Sequence, residues 1–219
     1  MAQALHLCGN TMSSKLTFFK NFIKEFHYTG AIMPSSEGLS LAITEKLRER
    51  NEEKISVLEV GAGTGVFTRK IINHLKQDDE LIVYEINDEF TDYLKNSVVK
   101  DIDEGIEIKL LNEDIMIEDE NDRKYDFIVS GLPFNNFPVE VVEKILSLYM
   151  RKLKIGGILS FFEYMYMRNI KLSLPLAKNE LIRIKRIDEL VNHFNEKFGI
   201  GRSSIYKNIP PAFVNYLRR

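Results

Sequence analysis

The chain has 219 residues, of which 44% are hydrophobic and 28% are charged, and its formal net charge is −2. This composition excludes a disordered, collagen-like or low-complexity chain. The only cysteine, Cys8, excludes an intrachain disulfide and favours a reducing, cytoplasmic location. No apolar run reaches the ~20 residues that a membrane-spanning helix needs.

The small net charge conceals a division along the chain. Residues 101–126 carry 11 acidic and 3 basic side chains, whereas residues 151–219 carry 14 basic and 5 acidic ones. Such asymmetry is typical of proteins with a polyanionic partner, although exposed faces also differ in charge by chance.

The first 50 residues predict a leader and two helices. Residues 1–12 are expected to form a flexible leader. Over residues 13–28, apolar side chains recur at helical spacing between lysines, which predicts an amphipathic helix. Pro34-Ser35-Ser36 is typical of a helix cap, and the second helix is predicted to run to Arg50. We therefore expect N-terminal helices over residues 13–50 and one domain over residues 51–219.

Strands and helices alternate through the predicted domain. Strands are predicted over residues 55–60, 81–84, 106–111, 127–130, 158–162, 203–207 and 213–217. Helices are predicted over residues 67–75, 89–99, 139–152 and 187–198. This alternation predicts an α/β fold with a single doubly wound, mostly parallel sheet. In such sheets the ligand lies beyond the carboxyl ends of the strands, at the switch point of the strand order.

The most informative stretch is Glu59-Val60-Gly61-Ala62-Gly63-Thr64-Gly65, which closes the first strand and opens a helix. Glycines are needed where the backbone turns sharply or where a ligand must approach without a Cβ in its way. The third glycine comes one residue too early for a dinucleotide fingerprint, and no lysine follows as in a P-loop. Glu59 would repel a phosphate but could receive an ammonium group.

Two further acidic residues follow the next two strands. Glu85 ends the second strand, where a carboxylate can accept hydrogen bonds from ribose hydroxyls. Asp114 follows the third strand, where it could accept from an adenine amino group, with Ile115 against the ring. Together with Glu59, these residues predict a ligand that has an ammonium group, a ribose and an adenine but no phosphate.

These residues resemble the motifs of the class I S-adenosylmethionine-dependent methyltransferases over about residues 30–165. The resemblance implies a seven-stranded Rossmann-like sheet and S-adenosylmethionine as cofactor, with no metal. The cofactor-binding residues that it implies are Glu59, Gly61, Gly63, Thr64, Gly65, Glu85, Asp114, Ile115, Ser130 and Leu132.

Four shorter motifs, over residues 30–36, 129–134, 162–164 and 208–214, are similar to those of the bacterial phospholipid N-methyltransferases. That family methylates the amine of phosphatidylethanolamine, so the resemblance implies an aminophospholipid substrate. It implies that Ser35, Ser36, Pro133 and Phe134 bind the substrate.

An alkylamine must lose a proton before it can accept a methyl group. Tyr164, Glu163, Tyr28 and His27 are candidate acceptors, and Tyr164 and Tyr28 are the predicted catalytic residues. Tyr164 comes first because it ends the fifth strand at the family's tyrosine position, and a tyrosine face also stabilises an ammonium group. The alternative for Tyr164 is a packing residue with a solvated hydroxyl.

A second family offers an alternative function. The motif after the fourth strand also resembles the Asn-x-Pro-aromatic loop of the rRNA adenine dimethyltransferases, which implies an RNA adenine N-methyltransferase. In this chain Gly131 stands at the asparagine position and Phe134 is the aromatic residue, so the side chain that reads the base is missing.

The helix over residues 13–28 carries three lysines, and four phenylalanines lie between residues 18 and 26. Such a helix can lie in a bilayer interface and attract anionic headgroups, although many helices of this pattern pack in a core instead. The basic stretch from Arg168 to Arg186 could extend this surface. We therefore expect a cytoplasmic enzyme that associates peripherally with an anionic membrane.

Overall fold

The computed structural model describes residues 36–51, 53–100, 102, 105–165 and 178–219. The predicted leader over residues 1–12, the predicted helix over residues 13–28, Tyr28 and Ser35 lie outside the described residues. So does most of the basic stretch that begins at Arg168. Within the described ranges, no helix is both long and apolar enough to cross a membrane.

The described residues form one seven-stranded sheet with helices on both faces. The strands are β1 (Ser56–Val60), β2 (Glu80–Tyr84), β3 (Glu107–Leu111), β4 (Tyr125–Ser130), β5 (Leu153–Tyr164), β6 (Gly199–Ile205) and β7 (Ala212–Arg218). The α-helices are α1 (Glu37–Ile43), α2 (Val66–Ile72), α3 (Asp88–Ser97), α4 (Val139–Lys152) and α5 (Lys178–Phe198). Short 3₁₀ helices cover Glu45–Glu49, Ile115–Glu120 and Phe134–Asn136.

The strand order is β3-β2-β1-β4-β5-β7-β6, and neighbouring strands are parallel except where β7 pairs with β5 and β6. The predicted doubly wound, mostly parallel sheet is therefore confirmed. The order reverses between β1 and β4, so the crevice between the loops that follow these two strands is the expected ligand site.

Apolar clusters cover both faces of the sheet, because successive residues of a strand point to opposite faces. On one face, Val57 of β1 packs with residues of α1, α2 and α3, including Leu39 and Phe67. On the other face, Leu58 packs with residues of α4 and α5, including Ile145 and Ile187. Burial on both faces accounts for the nearly continuous apolar runs of β1 and β2.

The largest differences from the predicted element bounds occur at three places. The helix predicted to reach Arg50 ends at Ile43, where the Thr44 hydroxyl donates to the Ser40 carbonyl at 2.8 Å, and the chain continues as a 3₁₀ helix. β5 begins at Leu153, five residues early, because Leu153 already pairs with Tyr125 before a register shift. α5 begins at Lys178, nine residues before its predicted start.

Candidate active site

The loop between β1 and α2 has a backbone that suits glycine. Gly61, Gly63 and Gly65 have φ values of +73°, +55° and +76°, in the left-handed region that other L-residues rarely adopt. The Gly61 amide donates to the Tyr84 carbonyl at 2.8 Å, which ties the loop to the end of β2. The glycine pattern in the sequence thus indicates a turn whose backbone would be strained if other residues replaced these glycines.

A second glycine loop, after β4, lies directly against the first. The Gly131 amide donates to the Val60 carbonyl at 2.8 Å, and a Cβ placed on Gly131 would lie 2.4 Å from the Gly61 carbonyl oxygen. A Cβ on Gly61 would in turn lie 2.7 Å from Leu132 Cδ2. The contact explains why glycine stands at position 131, where the rRNA adenine dimethyltransferase motif has an asparagine.

Gly63 differs from the other two glycines of the first loop because a Cβ there would meet no atom within 4 Å. The space beside this glycine is therefore open to a ligand. The Gly63 amide donates to Glu85 Oε2 at 2.8 Å, and the Asn87 amide donates to Glu85 Oε1 at 2.8 Å. These two bonds hold the Glu85 carboxyl beside the open space.

The Glu85 carboxyl is positioned to accept hydrogen bonds from ligand hydroxyls. Burial raises its pKa, and the surrounding backbone amides oppose that rise. The Asn112 side chain donates to the Glu85 carbonyl at 3.0 Å, so the ends of β2 and β3 are joined at this edge. The predicted ribose-binding role of Glu85 fits this geometry.

Glu59 is fully buried, and neither of its carboxyl oxygens has a hydrogen bond of ordinary distance and angle to another of the described residues, although the hydroxyl and amide of Thr68 are near. Burial raises the pKa of Glu59 to about 8, and the charge of Glu85 adds to the rise, whereas the hydroxyl and amide of Thr68 oppose it. Buried polar groups are normally paired. A cationic ligand group that reached this carboxyl, directly or through water, would supply the donor that it lacks.

Asp114 lies at the carboxyl end of β3 and caps the following 3₁₀ helix, because Asp114 Oδ1 accepts from the Met116 amide at 2.9 Å. Ile115 is buried beside it. Glu59, Glu85 and Asp114 thus follow the order of three adjacent parallel strands at one edge of the sheet. The arrangement fits the ammonium, ribose and adenine groups of S-adenosylmethionine.

The residues after β4 mostly shape their own loop. The buried Ser130 hydroxyl lies 3.1 Å from the Tyr149 hydroxyl and accepts from the Leu132 amide at 3.4 Å. Phe134 is buried, and its ring centroid lies 5.5 Å from that of Phe161. Pro133 is half-buried. Contacts of these four predicted residues, Ser130, Leu132, Pro133 and Phe134, with cofactor or substrate stay predictions.

Tyr164 is half-buried at the end of β5, with its ring 5.2 Å from that of Phe162 in an edge-on contact. Burial raises the pKa of its hydroxyl, so this group keeps its proton at neutral pH. Tyr164 is therefore better suited to orient an amine than to remove its proton.

Ser36 connects the start of α1 to the C-terminal part of the chain. Its hydroxyl accepts from the Leu39 amide at 3.2 Å as a helix cap, and its amide donates to Asn208 Oδ1 at 3.0 Å. The predicted substrate contact of Ser36 would have to coexist with this capping role. Thr64, also predicted to bind cofactor, is exposed in the glycine loop.

Comparison with known proteins finds similarity to methyltransferases. A family model described as a methyltransferase domain matches residues 57–157. The ornithine lipid N-methyltransferase of Singulisphaera acidiphila is 28% identical over 150 residues, which are 67% of this chain and 76% of that protein.

Solved structures of methyltransferases share the fold. An O-methyltransferase from Bacillus cereus, in complex with S-adenosylhomocysteine, has a TM-score of 0.62 at 12% identity and covers 91% of this chain and 90% of its own. The O-methyltransferase TomG from Streptomyces achromogenes, in complex with S-adenosylmethionine, has a TM-score of 0.60 at 12% identity and covers 93% and 88%.

Proposed function

Because this chain is a class I S-adenosylmethionine-dependent methyltransferase, we propose that it methylates the amine of a lipid headgroup, with phosphatidylethanolamine as the substrate. The similarity to the ornithine lipid N-methyltransferase, over 67% of this chain, carries the proposal. Ornithine and ethanolamine both present a primary alkylamine, so one acceptor chemistry serves both headgroups.

S-adenosylmethionine, when bound, supplies a methyl group on a positively charged sulfur, and the residues of the chain bind and orient the reactants. Glu85 binds the ribose hydroxyls, and Glu59 binds the amino group. Asp114 and Ile115 bind the adenine. The open side of Gly63 lets the backbone approach the ligand.

The acceptor amine is protonated at neutral pH and must release a proton before attack. Tyr164 orients the amine through its hydroxyl and offers an aromatic face to the methylated product. Glu163, the preceding residue of β5, is the proposed acceptor of the proton. Tyr28, which lies outside the described residues, keeps its predicted role as a second catalytic tyrosine.

The RNA alternative has less support. Gly131 stands where the rRNA adenine enzymes place an asparagine, and a Cβ at this position would collide with the Gly61 carbonyl. No side chain can therefore extend from position 131 toward a base without moving the glycine loop.

The proposal includes a peripheral contact with an anionic membrane, made by the N-terminal helix and the basic C-terminal part. The loop over residues 206–211 supports it. Tyr206 and Ile209 are each 70% exposed there, beside the exposed Lys207, and Met165 at the end of β5 donates to Pro211. Exposed tyrosine and isoleucine beside a lysine suit a lipid interface, and this loop lies at the edge of the sheet that holds the site.

The test supplies labelled S-adenosylmethionine and the full chain with vesicles of phosphatidylethanolamine, vesicles of ornithine lipid or ribosomal RNA. Label is expected in the phosphatidylethanolamine fraction. Glu85→Gln should remove both labelling and cofactor binding, whereas Glu80→Gln, at the opposite end of the same strand, should preserve them. Label that enters RNA alone would overturn the proposal.

A further inference from the structure

A cavity of about 90 Å³ lies beside Tyr164, between α5 and strands β5, β6 and β7. Its polar lining comes from residues far apart in the sequence: Asn135, Glu163, Tyr164, Asp188, Asn192 and Arg202. A cavity of this size holds several waters or a short aminoalkyl group. Asn135 lies four residues after Gly131, so the loop that contacts the glycine loop between β1 and α2 also contributes to this cavity.

The cavity contains charges of both signs, held in fixed positions. Glu163 Oε2 accepts from Asn215 Nδ2 at 2.7 Å and lies 3.6 Å from Arg202 Nη2. Arg202 Nε donates to Asn215 Oδ1 at 2.7 Å, and the guanidinium lies 4.7 Å from the centroid of the Phe213 ring. Asn215 therefore holds both Glu163 and Arg202 in place.

Carboxyl groups outnumber cations among the described residues that line the cavity. Those of Glu163 and Asp188 share the space with the guanidinium of Arg202. Burial raises the pKa of Glu163, the Asn215 amide and the charge of Arg202 oppose that rise, and the nearby charge of Asp188 adds to it. A cation bound between the two carboxyl groups would relieve this repulsion.

Arg202 can bind a second negatively charged group while it pairs with Glu163. A guanidinium has five N–H donors, and the contacts described above involve Nε and Nη2. Arg202 lines the cavity and its side chain is 40% exposed, so donors of the guanidinium remain for a second group. An anion there would meet a donor geometry that suits both phosphate and carboxylate.

From this pairing of charges, we propose that the cavity binds a zwitterionic lipid headgroup, with the amine at Glu163 and Asp188 and the anion at Arg202. The inference rests on the proposed function and deepens it, since it names the substrate class by its two charges. Arg202 becomes the specificity-determining residue, because a lipid amine without a nearby anion gains nothing from the guanidinium. The anion is a phosphate in phosphatidylethanolamine and a carboxylate in ornithine lipid.

The kinetic experiment compares three acceptors in detergent micelles: phosphatidylethanolamine, ornithine lipid and a long-chain primary alkylamine. Arg202→Gln should raise KM for the two zwitterionic lipids by about tenfold or more, the effect of losing a charged hydrogen bond, and should leave KM for the alkylamine unchanged. Arg202→Lys should recover part of the loss. Asp188→Asn should raise KM for all three acceptors, whereas Glu196→Gln, on the exposed face of the same helix, should change none.

Direct binding separates this inference from the proposed function. Glycerophosphoethanolamine, titrated calorimetrically into the full chain without cofactor, should bind, and Arg202→Gln should weaken that binding. Headgroup binding without lipid methylation would refute the proposed function alone. Two outcomes in a protein that still methylates lipid would refute the cavity assignment alone. In the first, Arg202→Gln and Asp188→Asn leave the KM values unchanged. In the second, Arg202→Gln raises KM equally for all three acceptors.

Discussion

The contact between the two glycine loops makes a sharp prediction for Gly131→Ala. The added methyl would lie 2.4 Å from the Gly61 carbonyl oxygen, 3.4 Å from the Gly61 carbonyl carbon and 3.5 Å from the Val60 carbonyl oxygen. These neighbours are backbone atoms at the end of a buried strand, so they cannot turn aside as a side chain would. The two loops must separate by roughly 1 Å to restore an ordinary contact.

This displacement acts on stability and on cofactor binding together. It stretches the hydrogen bond from the Gly131 amide to the Val60 carbonyl, now 2.8 Å long. Overpacking in a well-packed site costs about 1–3 kcal/mol, and for a chain of this length each kcal/mol lowers the melting temperature by about 2–4 °C. Because Gly61 begins the glycine loop between β1 and α2, where the cofactor is proposed to bind, we expect cofactor affinity to fall by about tenfold or more. A tenfold loss corresponds to about 1.4 kcal/mol.

Differential scanning calorimetry and titration with S-adenosylmethionine measure the two effects. The matched control is Gly201→Ala in β6, where the new Cβ would meet Tyr216 at an ordinary 3.8 Å. This control should melt and bind cofactor like the parent chain. If Gly131→Ala matched the parent in both measurements, the close contact between the loops and its role in shaping the cofactor site would be wrong.

Two further predictions concern buried carboxyl groups. The folded protein keeps the proton of Glu59 up to about pH 8, whereas the unfolded chain releases it near pH 4.5. As the pH rises from 4.5 to 8, this group therefore lowers the free energy of unfolding progressively, by an amount of order 5 kcal/mol. Glu59→Gln should remove that pH dependence. If the melting temperatures of the parent chain and the variant changed in parallel from pH 5 to 9, the prediction would be wrong. Glu118 accepts hydrogen bonds from the hydroxyls of Tyr84 and Tyr125, so Glu118→Ala should cost about 3–5 kcal/mol in urea unfolding and Glu118→Gln less. Equal unfolding midpoints for the two variants and the parent chain would refute this account.

The alternation of apolar runs predicted the sheet because local pattern decides which segments become strands. It did not predict the strand order at the C-terminal end, where β7 inserts between β5 and β6. That order depends on pairings such as Tyr164 with Ala212, which lie far apart in the sequence. The early start of β5 likewise depends on a partner, since Leu153 is extended where it meets Tyr125.

The three acidic residues of the site were predictable because each lies at or just beyond the carboxyl end of a strand, and parallel strands bring these ends to one edge. The contact between Gly131 and Gly61 was not predictable, because a glycine in the sequence does not show which atoms lie where a side chain would be. The charged cavity was also hidden, because Glu163, Asp188 and Arg202 come from three separate elements. Only tertiary packing of α5 against the sheet brings them together.

The division of charge along the chain has a different meaning in the fold. Three ion pairs join the acidic segment to the start of the basic one: Arg151 with Asp119 at 3.0 Å, Lys154 with Asp126 at 2.7 Å and Lys152 with Glu118 at 4.0 Å. These basic residues already have carboxylate partners within the chain, so they contribute little to attraction of an external polyanion.

Two further basic residues with exposed side chains lie on α5. Lys185 and Arg186 are 76% and 58% exposed, and their ion pairs with Glu189 and Glu140 are both 3.8 Å long. Pairs this exposed contribute little and are screened by salt, so both cations remain available to lipid headgroups. The membrane contact proposed above would then draw on these two residues of α5 as well as on the loop over residues 206–211, and the total charge of the C-terminal segment overstates the attraction.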